Sequence, residues 1–462
     1  MTETHVASIV LTELAAVLSD AQIATGLRAD GNRRDQSEGT LSGDPLAVVF
    51  PASTAEVAAV VTIAAAHRVP IVPQGARTGL AGGANAIDGA IVLSTTRLKR
   101  ILTIDTANQT ATVQAGVRTI ALARAAEAVD LFYPPDPGSW RASTIGGNVA
   151  TNAGGMLCVK DGVTGNFVRQ LTVVLADGSI VQTGQRTIKG VAGYNLTALL
   201  VGSEGTLGII TEITVGLLPK PGNPSGVSAT FASTADALAA ANTIVAGAHR
   251  PSVLEFLDGA CIKAINAFDP ASTLPAGASA LLLVQSDEIG RAHDDVEAYA
   301  EVLRAGGAGD VTIAHDAESL EQLMSARRLL HPAVQAVRGG ALNEDVTVPR
   351  TQLPELLLGQ AEISRELDVP ISTGGHIGDG NLHPVIGYDP LVPAEIDAAH
   401  AAFARVIDLA ISLDGSASGE HGIGVLKRAH LDDELGPVLR DLQLRVKAAF
   451  DPHNLLNPGK KL

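Results

Sequence analysis

Residues 71–84 read Ile-Val-Pro-Gln-Gly-Ala-Arg-Thr-Gly-Leu-Ala-Gly-Gly-Ala, a short β-type run that breaks into a loop carrying four glycines. Unhindered backbone N–H groups in such a loop can wrap an anion such as a diphosphate. The loop has no Walker lysine, and no G-x-G-x-x-G follows a strand in this chain. Neither a P-loop ATPase nor a dinucleotide-binding Rossmann fold is therefore supported. On its own residues the loop reads equally well as a cluster of tight turns.

Outward from this loop the text is α/β. Ala47-Val-Val-Phe50 reads as a strand, Thr54 to His67 as a helix, and Ile71-Val-Pro73 and Ala90-Ile-Val-Leu93 as further strands. Upstream, Val6, Ile9, Val10, Leu14, Val17 and Leu18 recur at helical spacing, so residues 1–44 are expected to be a helical N-terminal segment. Downstream, Ala111–Gln114, Leu171–Leu175 and Ile209–Val215 are strand-like, and Pro219-Lys-Pro221 closes the stretch. A first domain is expected over 45–221. Strands such as Ala280–Val284 alternating with alanine-rich helices such as Ala235–Ala246 then give an α+β domain over 222–412. Residues 413–462 form a closing, largely helical segment.

The chain has 462 residues, 46% of them hydrophobic, more than a single core usually supports. A net charge of −16 and a pI near 5.1 disfavour nucleic acid and anionic membrane surfaces. A small anionic substrate would need a local positive site. The opening Met1-Thr-Glu-Thr-His5 lacks a basic leader region, and no apolar run reaches the roughly 18 residues of a spanning helix, so a cytoplasmic protein without a transmembrane segment is expected. Cys158 and Cys261 make neither a disulfide framework nor a thiolate cluster.

Two further glycine-rich stretches resemble ligand-facing backbone. Pro134-Pro-Asp-Pro-Gly138 precedes Thr144-Ile-Gly-Gly-Asn-Val-Ala-Thr-Asn-Ala-Gly-Gly155, where small side chains leave room for a flat ligand. Gly193-Tyr-Asn-Leu196 precedes Gly202-Ser-Glu-Gly-Thr-Leu-Gly208, which opens into a strand. Alone, each could be structural, since glycine serves turns more often than ligands.

The chemistry concentrates in Ile371-Ser-Thr-Gly-Gly-His-Ile-Gly-Asp-Gly-Asn-Leu-His-Pro-Val385. If Gly378–Asn381 is the turn of a hairpin with Ile377 opposite Leu382, His376 faces His383, with Cβ atoms about 5 Å apart. Two imidazoles at that separation can share a metal. Ser418-Gly-Glu-His-Gly-Ile-Gly424 offers Glu420 and His421, and the three groups His376, His383 and Glu420 would make a site with open positions. Zinc is the first choice of divalent metal, with manganese or iron next. Histidines that merely cap turns are the plainer reading of any one of them.

PQGARTGLAGGA (73–84), IGGNVATNAGG (145–155), GYNLTALLVGSEGTLGIITEI (193–213) and LNPGKKL (456–462) together resemble the vanillyl-alcohol-oxidase/PCMH-type flavoproteins, and within them the FAD-linked D-2-hydroxy acid dehydrogenase branch. That branch takes in cytochrome-linked D-lactate dehydrogenases, the glycolate oxidase flavin subunit and D-2-hydroxyglutarate dehydrogenase. The likeness runs from about residue 45 to the end. It implies an α+β fold: a PCMH-type FAD-binding domain of two α/β subdomains, a substrate or cap domain with an antiparallel sheet, and C-terminal helices returning to the flavin.

By the same resemblance, Pro73, Gln74, Gly75, Ala76, Arg77, Thr78, Gly79, Leu80, Gly82 and Gly83 hold the FAD diphosphate. Pro137, Gly138, Ser143, Thr144, Gly147, Asn148, Thr151 and Ala153 line the flavin and ribityl chain. Gly208 and Ile209 lie near the adenosine or ribityl part, and Asn457 approaches the isoalloxazine. The loop that carries a histidine in covalently flavinylated relatives has none here, which implies non-covalent FAD. Positions matching His376, His383 and Glu420 are the metal ligands, and His421 is the general base. The implied reaction has the metal lower the hydroxyl pKa of a small 2-hydroxy acid, His421 take that proton, and hydride pass to flavin N5.

Met324-Ser-Ala-Arg-Arg-Leu-Leu-His331 resembles the family segment whose first arginine, here Arg327, pairs with the substrate carboxylate. Arg328 and Arg350 are backups, and a solvated helix face is an equal reading. Where 2-hydroxyglutarate enzymes have a lysine for a distal carboxylate, this chain has Asn343, and His331 and Val385 also depart from their pattern. A monocarboxylate such as D-lactate is therefore expected, with 2-hydroxyglutarate or glycolate as alternatives. The electron acceptor is left open among a quinone, a cytochrome and an electron-transfer flavoprotein, as is a homodimer. A transferase or reductase of the same superfamily would not need the His376, His383 and Glu420 set.

Overall fold

The computed structural model describes residues 3–272 and 274–462. The chain sorts into two compact units. One comprises Met1–Gly154, Val163–Lys220 and Glu420–Leu462; the other comprises Gly155–Gly162 and Pro221–Gly419.

The first unit holds two main sheets. One runs in the order Ile23–Ala24, Ala47–Val49, Ile91–Ser94, Ile71–Gln74, and its last three strands are parallel. Parallel neighbours need a crossover, and Thr54–His67 supplies one. Ser53 caps its start by accepting the Glu56 N–H, and Arg68 ends it at a φ of 54°. Val57, Val60, Val61 and Ala64 form its buried stripe, in one core with Val10 and Leu14 of the Glu3–Val17 helix. Leu456, near the end of the chain, pairs beside Ile71 in this sheet. The other sheet is antiparallel, in the order Ile101–Asp105, Thr110–Gln114, Ile209–Gly216, Val168–Val174, Ile180–Gly184. Leu122 of Thr119–Glu127 and Ile145 and Val149 of Ile145–Thr151 join its core.

The second unit is built on one antiparallel sheet. Its order is Val311–Ala314, Ser225–Phe231, Ala280–Ser286, Val253–Asp258, Ile371–His376, Asn381–Tyr388, Gly340–Asn343, with Val346–Thr347 pairing the start of Asn381–Tyr388. Side chains alternate between faces. The registers Leu257 to Gly374, Gly374 to His383 and Asn343 to Val385 put Glu255, Leu257, His376, His383, Val385 and Asn343 on one face. Helices Gly259–Phe268, Ala317–Arg328 and Leu330–Arg338 share a core with that face through Ile262, Met324 and Val334. The opposite face meets Leu353–Leu367, where Thr373 Oγ1 donates to Gln360.

The hairpin register differs from the expected one. The turn is Ile377–Gly380, so His376 stands opposite Asn381, and His383 stands opposite Gly374. The shift goes with Asn381, which pairs with Thr347 and donates from Nδ2 to the Val346 carbonyl and so lies in the strand, while Gly380 takes a φ of +90° and its added Cβ would sit 2.2 Å from the Val348 carbonyl oxygen. Only glycine closes the loop there, and Asn381 becomes the first paired residue instead of the last turn residue. Among the described residues no helix is long and apolar enough to cross a membrane.

Candidate active site

The corrected register still brings the two imidazoles together. His376 and His383 are diagonal neighbours across the hairpin, their ring centroids 5.1 Å apart and their planes at 87°. Diagonal pairs stay within reach of large side chains, and Gly374 presents no side chain opposite His383. Both rings are almost fully buried.

A carboxylate stands behind each ring. Glu255, fully buried, holds His376 Nδ1 with Oε1 at 2.6 Å and accepts the Arg327 Nε–H with Oε2 at 2.6 Å. Burial alone would raise the Glu255 carboxyl, but His376 and Arg327 beside it hold it down at about 2. Asp345 Oδ1 lies 3.8 Å from His383 Nδ1. Asp345 is fixed in turn by Asn381 Nδ2 at 2.7 Å and Ser418 Oγ at 2.8 Å. Carboxylates in this position orient imidazoles that ligate metals and set their tautomer.

Arg327 ends the Ala317–Arg328 helix with its side chain mostly buried. Arg328 faces outward and pairs with Glu321. Arg350 is exposed, lining a separate hollow of about 380 Å³ with Arg250, Val159 and Gly378. On the site face, Asn343 Oδ1 is buried with no hydrogen-bond partner, and burial pushes the His331 imidazole down.

In the first unit the 71–84 loop has a one-sided pattern of hydrogen bonds. The carbonyl of Ala81 accepts from Val425 and Leu426 N–H, that of Gly82 from Lys460 Nζ, and that of Gly83 from Asn457 Nδ2. Among the described residues, the N–H groups of 75–83 meet no acceptor from the chain. Arg77, at a φ of 60°, has a buried Nη1 without a partner, as do Ser203 Oγ and Asn457 Oδ1. A row of unengaged donors backed by a fixed outer edge suits an anionic diphosphate, so these residues fit FAD.

The loop packs onto the second glycine-rich segment. A Cβ on Gly75 would lie 2.5 Å from Thr144 Oγ1, which itself accepts the Gly147 N–H at the start of Ile145–Thr151. Asn148 Nδ2 donates to Thr119, which shares a hydrogen bond with Ser143. Thr151 Oγ1 bonds back to the Gly147 carbonyl, Pro137 and Ala153 are buried, and Gly138 is exposed. Gly208 abuts Val173, and the Ile209 side chain is in the hydrophobic core, so any ligand contact at these two runs through backbone.

Glu204, Glu255 and Asp345 were not expected as site residues. Glu204 is buried at a φ of 53°, its two carboxylate oxygens accepting the N–H groups of Ile423 (2.9 Å) and Gly424 (2.8 Å). It thereby ties the Glu420–Gly424 turn, whose His421 Nε2 lies 3.9 Å from Glu420 Oε1, to the FAD-loop side of the unit. Asn457 adds a bond from Nδ2 to the Glu204 carbonyl.

Comparison with known proteins gives consistent results. Residues 45–184 match the FAD binding domain, and residues 221–461 match the C-terminal domain of FAD linked oxidases. The glycolate oxidase subunit GlcD of Bacillus subtilis is 42% identical over 417 residues, covering 90% of this chain and 88% of that one. A D-lactate dehydrogenase of Anaerostipes hadrus is 37% identical over 424 residues, covering 90% and 89%. Among solved structures, substrate-bound p-cresol methylhydroxylase superposes with a TM-score of 0.79 at 17% identity, covering 99% of this chain and 97% of that one. At that identity the likeness is one of fold.

Proposed function

This chain belongs to the FAD-linked oxidases, and from that premise we propose that it oxidises a small D-2-hydroxy acid, a lactate-like monocarboxylate, to the 2-oxo acid with the help of a divalent metal. The observation that carries the reading is the pair His376 and His383 on a buried sheet face, each backed by a carboxylate, with Arg327 anchored to the same Glu255. A buried imidazole pair of this kind suits zinc first, and manganese or iron next.

Chain continuity supports Glu420 as a third ligand. Gly419 packs so tightly on Asn381 that an added Cβ would lie 2.2 Å from its Nδ2, and Asn381 is paired with His376. Glu420 is the next residue, one Cα step of about 3.8 Å away.

In this reading Arg327 binds the substrate carboxylate through its terminal nitrogens. His421 receives the hydroxyl proton as general base. Bound FAD, held non-covalently by the 73–83 loop and the 137–153 segment, supplies the electron sink. His376, His383 and Glu420 would hold the metal, whose charge would ease loss of the hydroxyl proton to His421. Asn343, in place of a cation, leaves a second carboxylate without a partner, which favours monocarboxylates.

A second reading, the flavin subunit of a glycolate-oxidising assembly, is favoured by the higher identity to the GlcD subunit, 42% against 37% for the D-lactate dehydrogenase. Dye-linked turnover on D- and L-lactate, glycolate and D-2-hydroxyglutarate separates the two. We expect kcat/KM to be highest for D-lactate or a longer D-monocarboxylate; preference for glycolate selects the second reading, and turnover of none removes both.

A further inference from the structure

Glu255 sits where the pattern of its strand calls for an apolar residue. Its neighbours on the same face are Val253 and Leu257, and Leu283 is its cross-strand partner, all buried. A buried carboxylate persists only if its oxygens are well paired. Here the two oxygens are divided between two different groups, Oε1 to His376 Nδ1 and Oε2 to Arg327 Nε.

Each bond has a chemical consequence. With Nδ1–H donated to Glu255, His376 presents its lone pair at Nε2, the nitrogen through which it can ligate a metal. With Nε engaged, the guanidinium of Arg327 is anchored to Glu255 while its terminal nitrogens could still take an anionic ligand. One rigid carboxylate therefore sets the spacing between the cation that would take a substrate carboxylate and the imidazole that would hold the metal.

We propose that Glu255 is a positioning residue that couples metal binding to substrate-carboxylate binding and, by fixing their separation, selects acids whose hydroxyl is on the carbon next to the carboxylate. The proposal rests on the function proposed above.

The test uses the FAD-loaded full chain and its Glu255→Gln variant. A glutamine amide has one acceptor oxygen and cannot serve both donors. Expected for E255Q are zinc affinity lowered about 10- to 100-fold in chelator competition, KM for D-lactate raised at least about tenfold, and an unchanged FAD-to-protein ratio. The preference for D-lactate over D-3-hydroxybutyrate narrows, and the KM penalties of E255Q and Arg327→Ala combine to less than their product. If E255Q fails to retain FAD, Glu255→Asp, which keeps the charge but is too short to bridge both groups, is measured in its place with the same expected losses. A variant with zinc affinity, KM and preference all within twofold of wild type overturns the inference. Wild type that binds no zinc, manganese or iron overturns it together with the metal-assisted function; wild type that binds one and is matched by its variant overturns this inference alone.

Discussion

Glu204 holds a left-handed φ of 53° and gives both carboxylate oxygens to the amides of Ile423 and Gly424. Removing it in Glu204→Ala strands two buried N–H groups, at about 1–3 kcal/mol each. If His421 is the base, the turn that carries it loosens, so kcat should fall by more than KM rises, with zinc content retained. Steady-state kinetics and metal analysis check this. Lys460, in contrast, is cationic and buried, donating to the Gly82 and Asn85 carbonyls. Burial pushes it down to about 8 against the opposing influence of Asp35 and Glu204. Between about 8 and the usual 10.5 the unfolded chain carries a proton that the folded chain has released, so stability rises with pH across this window. Denaturant titrations should show wild type gaining on Lys460→Met as the pH rises from about 8. The histidines and glycines of the site were legible because such residues are rare in plain core or surface patterns. Glu255 was not, because a single acid in a β-run reads as solvent-facing, and its partners lie 72 and 121 residues away.

The hairpin shows what the pattern alone could and could not give at the scale of one element. Its two strands and the nearness of the two histidines were readable from Ile371–Val385, whereas the register was not. Gly-Asp-Gly-Asn looks like a four-residue turn, but Asn381 pairs with Thr347 and donates to the Val346 carbonyl, so the turn lies one residue earlier. That contact comes from a segment some thirty residues upstream, outside any local pattern. Gly380→Ala should cost about 3 kcal/mol, the scale of a substitution that combines a backbone clash with a disfavoured φ. Chemical denaturation measures it, and the same variant should lose metal affinity because His376 and Asn381 sit at the two ends of the turn.

Across the whole molecule, the order of glycine-rich motifs made the fold legible, since their residues are dictated by close backbone approach rather than by a replaceable core. The helix expected over Thr54–His67 forms over those same residues, and the strand expected over Ile209–Val215 extends one residue further. Composition could not reveal that Leu456 would pair beside Ile71, or that the tail would brace the 71–84 loop through Asn457 and Lys460. Whether the FAD fold and the histidine pair act in one reaction is read from anaerobic reduction of the bound flavin. Followed by visible absorption with and without a chelator, the flavin of the wild-type protein should bleach with a D-2-hydroxy monocarboxylate but not with its L-enantiomer. Bleaching should be lost on metal removal, return with zinc or manganese, and be absent in His376→Ala. A flavin that no 2-hydroxy acid reduces, or one reduced equally well after metal removal and in the His376→Ala variant, would contradict metal-assisted oxidation of a 2-hydroxy acid.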